Sequence, residues 1–101
     1  MGRLVEIQRG EDAPAAVRLR AGDVLSVGAS GARVRAGEGV ISLLGAFLPA
    51  VCGGGGDVIA PEGAPSIVLF LARSSGKATV EIVIGDPWSA TTWKAIDVTV
   101  D

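Results

Sequence analysis

IVLFLARSSGKATVEIVIGDPWSATTWKAIDVTV, residues Ile67 to Val100, is the stretch that decides the fold. Three strand patterns lie in it: Ile67 to Arg73, Lys77 to Ile84, and about Thr92 to Val100. Ser74-Ser75-Gly76 and Gly85-Asp86-Pro87-Trp88 separate them. Gly and Pro punctuate strands because one adopts backbone conformations that other residues avoid and the other brings no N–H to the ladder. A period of two places Val80, Ile82, Ile84, Val98 and Val100 on one face of their strands, and these should be buried together with Phe70. Counting back from Val100 by twos reaches Lys94, a poor core residue, whereas its neighbour Trp93 suits a core. A bulge near Lys94 and Ala95 is therefore expected, to reverse the phase and turn Trp93 inward.

The same short alternation continues upstream. Leu4 to Gln8 reads as a first strand, and Glu11-Asp12 with Pro14 as a turn. Val17 and Leu19 alternate with Arg18 and Arg20, and Ala21-Gly22-Asp23 then turns the chain into Val24 to Val27, with Leu25 and Val27 facing inward. Ala32 and Val34 alternate with Arg33 and Arg35. Val40 to Leu44 and Phe47 to Val51 are denser apolar runs, interrupted by Gly45 and Pro49. Four glycines, Gly53 to Gly56, are costly to order and predict a mobile loop before Asp57-Val58-Ile59, and Pro61 and Pro65 bracket another loop. No stretch of ten or more residues keeps helical spacing. Strands at this spacing predict an all-β chain, an immunoglobulin-like antiparallel β-sandwich of about seven strands, with a barrel as the alternative. At 101 residues the whole chain, 1–101, makes one domain.

Composition excludes several functions. Nine basic residues against 11 acidic ones give no electrostatic reason to bind nucleic acid or an anionic membrane. No apolar run is long enough to cross a bilayer and the N-terminus has no apolar signal core, so the expected location is the cytoplasm, or outside the cell if a leader has been removed. One cysteine, Cys52, cannot form an internal disulfide. The chain contains no His, no Tyr and no Asn, so the commonest general base and the commonest metal ligand are missing. Cys52 has no base to activate it, and no two carboxylates are brought to a shared site. The chain reads as a non-enzyme, without cofactor or metal. Ser74-Ser75-Gly76-Lys77 is not a phosphate-binding loop, since Leu71 stands where the first glycine is required. Arg18, Arg20, Arg33 and Arg35 read as solvated strand faces rather than as a stripe for an anion.

Several positions also resemble one family, the chagasin-type inhibitors of papain-like cysteine proteases, which have an immunoglobulin-like fold. Arg20-Ala21-Gly22-Asp23-Val24-Leu25 is similar to an early strand start of that family, and Val68-Leu69-Phe70-Leu71-Ala72 with Gly76 and Thr79 resembles one of its hairpins. Asp86-Pro87-Trp88 falls where the family has Arg-Pro-Trp, and Ile96, Val98 and Val100 match its last strand. The likeness runs from Leu19 to Val100. It implies a target bound through three loops at one end of the sandwich. In the first, the family's Asn-Pro-Thr-Thr-Gly-Tyr corresponds to Val27–Ala32, which keeps Gly31 and a hydroxyl at Ser30. The second would be Ala60–Pro65 with Gly63 at its centre, and the third carries Asp86, Pro87 and Trp88.

Two readings of function follow. In the first the chain is a protein-binding module acting through Ser30, Gly31, Gly63, Asp86, Pro87 and Trp88, and the resemblance implies a papain-like cysteine protease as partner. In the other it is a structural or assembly domain. Ile67, Leu69 and Leu71 fall on the strand face opposite Val68, Phe70 and Ala72, where they need cover. Phe47, Leu48 and Val51 would provide it internally; a second copy would provide it as a homodimer.

Overall fold

A computed structural model describes residues 2–47, 66–84 and 92–101, together with the backbone at 51–52 and 58–59. The described strands are β1 (Leu4–Ile7), β2 (Ala16–Leu19), β3 (Val24–Val27), β4 (Gly31–Ala36), β5 (Ile41–Phe47), β6 (Val51–Cys52), β7 (Val58–Ile59), β8 (Ile67–Ala72), β9 (Gly76–Ile84) and β10 (Thr92–Val100). They form a sandwich of two four-stranded sheets, ordered β1-β3-β8-β5 and β2-β10-β9-β4, while β6 and β7 pair as a separate ribbon. The immunoglobulin-like sandwich is as expected, with more strands than seven. The extra ones arise from the ribbon and from the N-terminal stretch, which a 3-10 turn at Gly10–Asp12 splits between the sheets. Each half lies on an edge and runs parallel to its neighbour, β1 beside β3 and β2 beside β10. All other pairings in the two sheets are antiparallel.

The core follows the period of two. Leu25, Val27, Ile41, Val68 and Phe70 from the inner face of the first sheet are buried with Leu19, Val80, Ile82, Ile96, Val98 and Val100 from that of the second. Ile84 is only partly buried and packs against the end of this cluster.

The last strand departs from expectation. β10 pairs with β9 from Thr92 to Val100 without a bulge, so Trp93 faces outward and Lys94 takes the inward phase opposite Ile82. Lys94 solves its burial problem by length: its stem runs along the end of the core while its ammonium donates to the carbonyl oxygens of Glu11, at 3.3 Å, and Ala13. Bulges occur instead in the edge strands, between Val34 and Ala36 in β4 and between Leu43 and Gly45 in β5. There they twist the exposed edge away from further pairing.

Ile67, Leu69 and Leu71 do face outward, and they are half-buried. Across the ladder stand Phe47, Gly45 and Ser42. Gly45 has φ +147° and a side chain there would come within 3.0 Å of the Phe47 ring, which lies beside it on the same face. Phe47 thus gives partial internal cover and remains 47% exposed. The side chains of Leu48 and Val51, and the glycine tract Gly53–Gly56, lie outside the described residues.

Candidate functional site: one end of the sandwich

The β3–β4 connection is three residues, Gly28 to Ser30, and it is stitched to the body on both sides. The Gly28 N–H donates to Ile7 O at 2.8 Å, and Gly28 O accepts from the Gly10 N–H at 2.8 Å. A Cβ at Gly28 would sit 1.9 Å from Gln8 O, so the two backbones touch only because position 28 is glycine. Ala29 N–H donates to Ser66 O at 3.2 Å and Ser30 N–H to Val83 O at 3.1 Å. The Ser30 hydroxyl donates to the same Val83 oxygen at 3.3 Å. Ser30 therefore spends both its donors on β9, and Gly31 opens β4 directly opposite Val83.

These registers bring the roots of all three expected loops to one end. Val27 pairs with Val68, so the segment preceding β8 arrives beside the β3–β4 connection. Ile84 pairs with Thr92, so the β9–β10 connection leaves from the neighbouring position on the other sheet. Gly63, Asp86, Pro87 and Trp88, on those two connections, lie outside the described residues. Ile67, Leu69 and Leu71 belong to the outer face of the β1-β3-β8-β5 sheet, and only Ile67 approaches this end.

Beside the loop end, the outer face of β4, β9 and β10 carries a charged and aromatic cluster. Arg33 stands over the Trp93 ring at 4.5 Å from its centroid, a cation–π stack. The same guanidinium reaches Glu81 through Nη2, at 3.2 and 3.4 Å from the two carboxylate oxygens. Arg35 Nε lies 3.8 Å from Glu81 Oε1. Glu81 points outward as a period of two requires, yet the two arginines leave it only 9% exposed. Parity counted from Val100 already placed Trp93 outward; the preference of tryptophan for cores had overridden it.

Asp23 is a second group that composition and alternation did not single out. It is buried at the turn before β3, where its Oδ2 accepts from Arg20 N–H at 2.8 Å and Arg3 Nε at 3.1 Å, and its Oδ1 from Arg3 N–H at 3.1 Å. The Arg20 backbone N–H first, and Arg3 with it, outweigh burial and hold the carboxyl below the usual aspartate range. Its role is to fasten the N-terminal segment to the turn. The signal for it lay in Gly22-Asp23, since Gly22 takes φ +96° in a turn closed by Asp23 N–H donating to Arg20 O.

Among the described residues, no three His, Cys, Asp or Glu side chains gather where they would hold a metal ion. No helix there is long and apolar enough to cross a membrane.

No protein-family model matches the chain, and no curated protein matches it significantly. Solved structures do. The cysteine protease inhibitor EhICP2 from Entamoeba histolytica superposes with a TM-score of 0.62 over 99% of this chain and 97% of that one, at 9% identity. Amebosin superposes with a TM-score of 0.52 over 96% of this chain and 98% of its own, at 13% identity. At such identities the shared property is the fold, and the chain has the sandwich of these proteins from end to end.

Proposed function

We propose that the chain is a non-enzymatic protein-binding module that engages a papain-like cysteine protease with the end of the sandwich described above. The observation that carries this reading is the convergence of three connections at that end, in a fold shared over nearly its whole length with a cysteine protease inhibitor. The β3–β4 connection is too short and too firmly tied to enter a cleft as a finger, so in this reading it serves as the fixed platform of that end. Pro87 and Trp88 supply the anchor on the third: a tryptophan beside a proline presents a large contact area with little conformational entropy to lose. The test is inhibition of papain by the full chain. The reading expects reversible inhibition that weakens by about 2 kcal/mol or more in Trp88→Ala, as hot-spot truncations do. Absence of inhibition at micromolar concentration would refute it.

A second reading rests on a different surface. On the outer face of the β1-β3-β8-β5 sheet, Leu4 and Phe47 are exposed and Ile67, Leu69 and Leu71 are half-buried. Such a face favours self-association into a homodimer, which Leu69→Lys would abolish by burying an unpaired charge. Sedimentation of the wild type and this variant tests it; a wild type that is monomeric at all concentrations would dismiss it.

A further inference from the structure

Resting on the protease-binding reading, we propose that Trp93, Arg33 and Arg35 form a second contact surface of the same end, one that docks against a carboxylate-bearing rim beside the target's cleft. Three observations lead there. The first is position. Gly31, Val83 and Trp93 occupy one rung of the β4-β9-β10 sheet, the rung from which the β3–β4 connection departs, and Arg33 and Glu81 occupy the next rung on the same face. This face adjoins the loop end, within reach of a partner seated there.

The second observation is exposure combined with rigidity. Trp93 keeps 48% of its surface open even with Arg33 stacked over its ring. Tryptophan and arginine are the residues most enriched among binding hot spots, and both are held here by strands rather than by loops. The Arg33 fork is fixed by the nearly enclosed Glu81, so the pair loses little freedom when a partner covers it.

Charge supplies the third. Two guanidinium groups share one carboxylate, which leaves the cluster with one net positive charge on a chain whose total is −2. Glu81 is already committed to both arginines, and the side chain of Arg35 remains 66% exposed with its Nε 3.8 Å from the carboxylate. Arg35 is thus the cation with most capacity for an outside partner. The complement of this surface is an apolar shelf for the indole flanked by Asp or Glu side chains.

The experiment measures association and dissociation rates of the full chain with papain at several ionic strengths. Trp93→Ala should weaken binding about thirty-fold, mainly through faster dissociation. Arg35→Ala should slow association and flatten its dependence on salt, since a peripheral charge acts on the encounter. Trp93→Phe keeps a ring beneath Arg33 and should fall between wild type and Trp93→Ala. If Trp93→Ala does not fold, Arg35→Ala and Trp93→Phe decide the matter. Wild type and all three variants binding papain alike would overturn the second contact surface and leave the protease-binding reading standing. A wild type that does not bind papain at all would bring down both.

Discussion

Asp23 is charged and almost wholly enclosed, and three N–H donors account for it: two from the backbone at Arg3 and Arg20, one from the Arg3 side chain. Because its carboxyl is held below the ordinary value of 3.8, the stability it contributes is complete above that value and drains away as pH falls through the depressed folded value. Asp23→Asn should therefore unfold at lower urea than the wild type at pH 7, with the gap closing as both are taken toward pH 2. Equal midpoints at pH 7 would show that the carboxylate carries no weight. Residue chemistry of this kind was the least legible part of the sequence. Alternation assigns a face to each position and says nothing about which charges meet across strands. The Arg33–Glu81–Arg35 cluster and the Lys94 ammonium over the carbonyls of Glu11 and Ala13 depend on register, which emerges only when strands are paired. Trp93 and Lys94 were misplaced because residue type was weighed above parity. A long stem and two nearby carbonyls make an inward-phase lysine acceptable.

At the scale of elements, the pattern of Ile67 to Val100 translated directly into β8, β9 and β10, and the buried residues are nearly those that a period of two selects. Val98→Ala should lower the unfolding free energy measured in urea by roughly 1 to 3 kcal/mol, since Val98 is fully buried in the core cluster and its truncation leaves a cavity. The division of the N-terminal stretch between two sheets was not legible. It depends on Gly10 and Gly28, where backbones approach too closely for any side chain. A Cβ at Gly28 would displace Gln8 and with it the end of β1. Gly28→Ala should then destabilise the fold by about 1–3 kcal/mol, the usual cost of overpacking. Amide exchange should accelerate in Leu4–Ile7 before it does in β9. Unchanged protection of β1 in that variant would show that the strand does not depend on the close approach.

For the whole molecule, the two sheets bury their apolar faces against each other, and they leave exposed an end where the roots of three connections converge and an outer face of half-covered aliphatic side chains. The general architecture was legible from strand spacing. The convergence was implied only by resemblance, and its physical basis is the pairing of Val27 with Val68, Gly31 with Val83 and Ile84 with Thr92. The central claim is that this end binds a papain-like protease, and amide mapping by NMR of the labelled chain titrated with papain tests it most directly. Perturbations should cluster at Gly28–Gly31, at the start of β8, and where β9 meets β10, with Trp93 among them. No perturbation in excess papain, or a cluster at the opposite end around Ser74–Lys77, would contradict the account.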